Sequence, residues 1–188
     1  MSEEKQSETP PTVLTIGHST RTIEEFIRLL TTHGATCVVD VRTLPRSRRN
    51  PQFNQDTLPG SLKVAGVDYT HVAGLGGLRR PKPDSINTGW KNASFRGYAD
   101  HMQTPEFAAS LENLVKLAKN ESVALMCAEA VPWRCHRSLS ADALFAQGIP
   151  TSLIMSESRT EAHALRSFAK RKGINVSYPL GDAQTELF

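Results

Sequence analysis

The sequence predicts a single α/β domain with a mainly parallel β-sheet, flanking helices and a long irregular, basic loop region. Three observations predict it. Short β-rich runs alternate with amphipathic helical patterns over most of the 188 residues. Several of those runs are nearly all apolar, as strands buried on both faces require. The length suits one domain, and hydrophobic residues at 39% supply a core without a metal or disulfide staple. Collagen-like, coiled-coil and wholly disordered chains are excluded on the same grounds.

Taken in order, residues 1–11 (MSEEKQSETPP) combine charge, serine and two prolines and read as a flexible tail; the domain spans 12–180, and 181–188 form a second tail. The first strand is Val13 to Ile16. A helix follows, with Thr22 as N-cap, Glu25 completing a capping box, Ile23, Phe26, Ile27 and Leu30 on one face, and Gly34 as the stop. Cys37 to Val41 is the second strand and Val67 to Val72 the third. Between Leu44 and Gly97 the chain is rich in Gly, Pro, Asn and Arg, with a short helical stretch near Leu58 to Ala65. Thr104 caps the next helix, with Pro105 in its first position and Phe107, Ala108, Leu111, Leu114, Val115 and Ala118 facing inward. Val123 to Cys127 is a strand, and a helix begins near Cys135 or His136 and stops at Gly148. Thr151 to Met155 is a strand, a further helix is expected from about Glu157 to Lys172 with Gly173 as its cap, and Ile174 to Tyr178 closes the set.

The formal charge of +3 hides an uneven distribution. From Arg42 to Arg96 there are ten basic and three acidic side chains, a balance of +7 that leaves −4 for the remainder. That placement points to an anionic partner, with a nucleotide or nucleic acid as the natural class. No apolar run approaches the roughly 20 residues of a membrane helix and the start carries no signal-peptide pattern, so the expected compartment is the cytosol. Three cysteines, an odd number, predict reduced thiols, with Cys37 in the core.

In open α/β sheets ligands sit beyond the carboxyl ends of the strands, and here polar residues gather after one strand after another. Gly17-His18-Ser19 follows the first, Asp40-Val41-Arg42 leads into Pro45-Arg46-Ser47-Arg48 after the second, His71 and Gly74-Leu75-Gly76-Gly77 follow the third, and Cys127-Ala128-Glu129 with Cys135-His136-Arg137 follows the fourth. With Tyr69, Phe95 and Tyr98, these pieces resemble, in this order, the domain of unknown function 488 family. The resemblance runs from about residue 16 to 150 and implies an α/β domain. It implies no reaction.

The candidate catalytic residues are His18, Asp40 and Glu129, a histidine with carboxylates for acid–base work, together with Cys135 and His136 at a helix start that favours anions and lowers a thiol's pKa. Ser19, Arg42, Ser47, Arg48, Gly76, Gly77, Tyr98 and Arg137 are the candidate substrate-binding residues, with Arg42 and Arg48 expected to point inward and Arg137 to clamp the anion. The leading expectation is an enzyme acting on a phosphate-bearing substrate. A nucleic-acid-binding module without chemistry is the second, with Trp90, Phe95 and Tyr98 either stacking bases or forming a lid. A thiol or metal enzyme centred on Cys127, Cys135 and His136 is the third. Against that one, Cys127 and Arg134 are separated by six residues rather than the five of a phosphate-sized loop, no C-x-x-C pair is present, and adjacent Cys135 and His136 are expected to project apart. No metal or cofactor is assigned.

Overall fold

The computed structural model describes residues 11–181; apart from Pro11 and Gly181, the two expected tails lie outside the described residues. Six strands form one sheet in the order β3-β2-β4-β1-β5-β6, made of β1 (Val13–Gly17), β2 (Cys37–Asp40), β3 (Asp68–His71), β4 (Val123–Cys127), β5 (Thr151–Ser156) and β6 (Arg159–Ala162). Every pairing is parallel except β5 with β6. Among the described residues no helix is long and apolar enough to cross a membrane.

The apolar strands are buried on both faces because each face is covered by helices. Leu14, Ile16, Val38, Ala124 and Met126 face α1 (Ile23–Thr32) and α2 (Leu58–Val64), while Val13, Val39, Val123 and Leu125 face α3 (Ala93–His101), α4 (Pro105–Ala118) and α5 (Arg137–Ala146). The α1 start is as expected: Thr22 Oγ1 accepts the Glu25 N–H, and Phe26, Leu29 and Leu30 enter the core. Withdrawing each such side chain from water contributes about 1.5–3 kcal/mol. Thr104 caps α4 in the same way, accepting from the Phe107 N–H.

Two expectations at the C-terminal end are corrected. The helix predicted from Glu157 to Lys172 does not form; the chain turns back as β6, runs irregularly, and then pairs β7 (Lys170–Lys172) with β8 (Asn175–Ser177). β5 would otherwise leave an unpaired edge, and an antiparallel return pairs it. Of the apolar positions expected on that helix, Ala162, Leu165 and Phe168 or Ala169, the last three still pack on the core, but from a loop, while Ala162 is exposed at the end of β6. Gly173 has φ +62° in the two-residue hairpin turn rather than as a helix cap, a conformation that serves either role. The strand expected at Ile174 to Tyr178 therefore belongs to this hairpin, separate from the main sheet.

The Leu44–Gly97 interval is more ordered than expected. It contains α2, β3, two 3₁₀ turns at Pro51–Phe53 and Ala73–Leu75, and the start of α3, whose cap Asn92 accepts from the Ser94 and Phe95 N–H groups. Asp100, buried on α3, holds residues 82–87 by accepting from Lys82 N–H at 2.8 Å, Ser85 Oγ at 2.6 Å and Asn87 Nδ2 at 2.8 Å. A buried carboxylate with three donors fixes a loop that periodicity cannot predict.

After β2 the chain crosses on the α2 face toward β3, and after β4 it crosses on the α5 face toward β5. These two strands are neighbours, so their carboxyl ends diverge and leave a crevice.

Candidate functional site

The crevice is built from three strand ends in register. Gly17 lies opposite Cys127, and Asp40 opposite Met126. His18 N–H donates to the Cys127 carbonyl and Ser19 N–H to the Ala128 carbonyl, each at 2.9 Å, so the chain after β4 leaves along the end of β1. Gly17 permits this: a Cβ there would lie 1.9 Å from the Glu129 carbonyl oxygen. Ser19 takes a left-handed φ of +48° where the two segments part.

Cys127, Cys135 and His136 meet at the centre, with the two sulfurs and Nδ1 all within 4.8 Å of one another. The expectation that Cys135 and His136 project apart is overturned. A 3₁₀ turn at Pro132–Arg134 precedes Cys135, which is extended (φ −127°, ψ 137°), while His136 is already helical, so the backbone turns between them. Cys127 Sγ lies 4.0 Å and Cys135 Sγ 3.9 Å from His136 Nδ1. On the far side of the ring Nε2–H donates to the Val41 carbonyl at 2.9 Å, leaving Nδ1 with its lone pair toward the sulfurs. The Cys135 thiol, donating to the Cys127 sulfur, holds Cys127 well below the ordinary thiol range, and His136 and Arg137 add to this; Cys135 is held well above it. Tyr98 stabilises the back of the ring, its centroid 4.9 Å from that of His136 and its hydroxyl held by the Leu75 carbonyl and Ser140.

Cys127 lines a cleft of about 300 Å³ together with His18, Arg42, Arg46, Ser47, Gly77 and His136, and both thiols line a smaller neighbouring one that includes Glu129 and Arg134. Arg46 brings an exposed cation to the first. Arg48, expected to point inward, is exposed and lines neither cleft. Ser47 anchors its own loop, its N–H donating to Asn54 Oδ1 and its Oγ accepting from Asn50 N–H.

His18, Asp40 and Arg42 form a buried network beside the cleft. Asp40, fully buried, accepts from Arg42 Nη2 at 2.6 Å, from Arg42 Nε and N–H, and from the Tyr69 hydroxyl at 2.8 Å. Arg42 Nη2 also donates to the Phe53 carbonyl, and Nη1 faces His18 Nε2 at 3.3 Å. His18 stacks on Phe53 at 4.3 Å and turns Nδ1–H to the Ser19 carbonyl. Burial, with the Arg42 charge assisting, lowers the His18 pKa. These groups spend their hydrogen bonds on one another and tie the ends of β1 and β2 together.

Glu129 is exposed, and its backbone carbonyl accepts from Arg137 Nη1 at 2.6 Å while Ala130 accepts from Nη2. Arg137 is 1% exposed and thus buttresses the thiol loop from behind. Gly76 and Gly77 follow the Ala73–Leu75 turn, and Gly77 lies against the His136 ring. Trp90 stacks on Phe95 at 4.7 Å and meets Phe168 and Tyr178 edge-on, so the aromatic cluster packs onto the core.

A family model described as "Domain of unknown function DUF488" matches residues 22–144. The chain belongs to this family. Among curated proteins and solved structures, none matches it. The DUF488 match spans α1 through most of α5 and thus takes in Asp40, Arg42, Cys127, Cys135, His136 and Arg137. Cys127 is the centre's member that the sequence put only in the third expectation, the thiol or metal enzyme, and not among the candidate catalytic residues. Its signal was position, as the last residue of a central strand at the sheet's carboxyl edge.

Proposed function

We propose that this DUF488 protein is a thiol-dependent enzyme acting on an anionic substrate, with Cys127 as nucleophile. One observation carries the reading: Cys127 Sγ, Cys135 Sγ and His136 Nδ1 gather within 4.8 Å, with Cys127 and His136 on the wall of a cleft that Arg46 makes basic. The Val41 carbonyl selects the tautomer whose Nδ1 can take the thiol proton, which is the base's part in a thiol–imidazole pair. In the step that follows, the Cys127 thiolate bonds to the electrophilic atom of the substrate. The bond to the leaving group breaks, and the imidazolium returns its proton to that group. Water then cleaves the thiol adduct and restores the Cys127 thiol. The acid–base reading of His18 and Asp40 has less support, because their polar atoms are already bonded within the protein.

The test is competitive alkylation with iodoacetamide, read at each cysteine by mass spectrometry. Cys127 is expected to react faster than Cys37 and to be shielded by phosphorylated compounds. Equal rates at Cys127 and Cys37 refute the assignment.

The same geometry favours a second reading, a zinc centre. Tetrahedral zinc, with bonds of about 2.3 Å to sulfur and about 2.0 Å to nitrogen, sets the two atoms roughly 3.5 Å apart. The observed separations of 3.9 and 4.0 Å are close to that, and a histidine whose other nitrogen donates to a carbonyl is the usual zinc ligand. Elemental analysis of the purified protein separates the readings: stoichiometric zinc lost in Cys135→Ser supports the second, and its absence with fast alkylation supports the first.

A further inference from the structure

Cys135 has no part in the hydrolytic chemistry of Cys127 and His136. A thiol–imidazole pair working with water needs one sulfur, yet a second lies within 4.8 Å of the first. The chain holds the two together from both sides. Arg137, two residues beyond Cys135, donates through Nη1 to the Glu129 carbonyl and through Nη2 to the Ala130 carbonyl, and so ties the segment leaving Cys127 to the start of α5. The Cys135 N–H donates to the Pro132 carbonyl at 3.0 Å, which closes the 3₁₀ turn and fixes the point from which the second thiol projects. Cys37 stands apart: it lies beside Val123, at the opposite end of β4 from Cys127 and about 13 Å away along the strand.

We propose that Cys127 and Cys135 are a dithiol–disulfide couple that reduces small hydroperoxides, with Cys127 as the attacking sulfur and Cys135 as the resolving one. This rests on the reading of Cys127 as a nucleophile and adds a second class of substrate to the same site. The roles follow from position. Both residues line the smaller cleft, but Cys127 lines the larger one as well and is 7% exposed against 2% for Cys135, so an incoming oxidant meets Cys127 first. A sulfur so recessed, in clefts of about 300 and 130 Å³, suits hydrogen peroxide or a short alkyl hydroperoxide better than a bulky protein disulfide. In the first step the Cys127 sulfur bonds to the outer oxygen of the hydroperoxide and the O–O bond breaks. Water or an alcohol leaves with the proton that Cys127 gave to His136, and Cys127 becomes a sulfenic acid. The Cys135 sulfur then attacks the Cys127 sulfur, the S–O bond breaks, and the hydroxyl leaves as water with the Cys135 proton. The sulfurs close from at most 4.8 Å to the roughly 2.05 Å of a disulfide, across an intervening segment of seven residues, 128–134. The two electrons lost by the pair are those gained by the hydroperoxide. A small thiol restores the couple: one molecule attacks the Cys127 sulfur and frees Cys135, and a second releases Cys127 and leaves as the thiol's own disulfide.

The test treats the full chain, as purified, with equimolar hydrogen peroxide and maps its cysteines by mass spectrometry of unreduced peptides. The expected result is the loss of two hydrogens, a link between Cys127 and Cys135, a reduced Cys37, and complete reversal by excess β-mercaptoethanol with sustained consumption of peroxide. In Cys135→Ser, and in Cys135→Ala as a second variant, the link is lost and Cys127 is expected to stop at a sulfenic acid trapped by dimedone, with thermal melting to verify folding. A wild-type Cys127 that stops at the sulfenic acid or passes to the sulfinic acid would overturn the proposal. So would a link to Cys37 or to another chain, a disulfide that β-mercaptoethanol does not reduce, or a Cys127 that peroxide leaves untouched. Iodoacetamide separates the two readings of the site: fast alkylation of Cys127 without a Cys127–Cys135 link removes the redox couple alone, whereas equal alkylation of Cys127 and Cys37 removes both.

Discussion

Gly77 lies against the imidazole of His136 so closely that a Cβ on it would fall 2.8 Å from Nδ1. Its backbone φ is not in the left-handed region, so alanine is tolerated by the chain itself. Gly77→Ala is therefore expected to push the ring off the two sulfurs while changing the melting temperature little. The check is Cys127 alkylation, expected to slow several-fold, or zinc content where zinc is bound. An unchanged rate with an unchanged fold would show that the ring's position does not matter to the thiol.

Gly17 presents the opposite case, because its missing Cβ would meet backbone rather than a movable ring. Gly17→Ala must displace the segment at Glu129 or the end of β1. A loss of about 1–3 kcal/mol is expected, in the range of overpacked cores, measured by urea denaturation.

Asp40 and Arg42 form a pair with side-chain exposures of 0% and 6%. Asp40→Asn keeps the shape and removes the charge, leaving the Arg42 guanidinium buried without its counter-ion. Breaking such a pair from one side costs about 3–5 kcal/mol, and denaturant midpoints will show it. Tyr69→Phe removes one donor to the Asp40 carboxylate and is expected to cost about 1.5–3 kcal/mol, the range for a hydrogen bond to a charged group.

The pH dependence of stability follows from two buried histidines. Burial lowers the pKa of His18, with Arg42 adding and the Ser19 carbonyl opposing, and burial lowers that of His101 against the pull of the Gly74 carbonyl. Below the ordinary value of 6.5 the unfolded chain takes up these protons before the folded one does. Stability is therefore full above about pH 7 and declines as pH falls through 6.5 toward the lowered folded values. Urea titrations at several pH values check this, and His18→Gln is expected to flatten the slope. A flat profile in the wild type would contradict it.

Much of the frame was legible because strands buried on both faces and capped amphipathic helices leave periodic traces: Thr22 and Thr104 act as caps where the sequence puts them, and β1 to β5 fall within a residue or two of their expected bounds. The stretch from 157 to 172 misled because Ala162, Leu165 and Phe168 have near-helical spacing, whereas the deciding force was the open edge of β5, a tertiary fact. The long basic interval was legible in charge but not in shape, since its order rests on Asp100 reaching back 13 to 18 residues. At the strand ends the segments named in the sequence do come together. What could not be read was which side chains would be consumed by one another, as His18, Asp40 and Arg42 are, and that a single 3₁₀ turn would swing Cys135 and His136 onto the same point.

The hydrogen bond from His136 to the Val41 carbonyl closes a span of 95 residues. Neither neighbour along the chain can form that contact early, and it needs β2, β4 and the first turn of α5 to be assembled together. Until then the three cysteines are chemically alike. Their divergence in reactivity is thus a clock for assembly: in a refolding experiment quenched with an alkylating agent, the moment at which Cys127 parts from Cys37 marks the docking of α5 against the sheet.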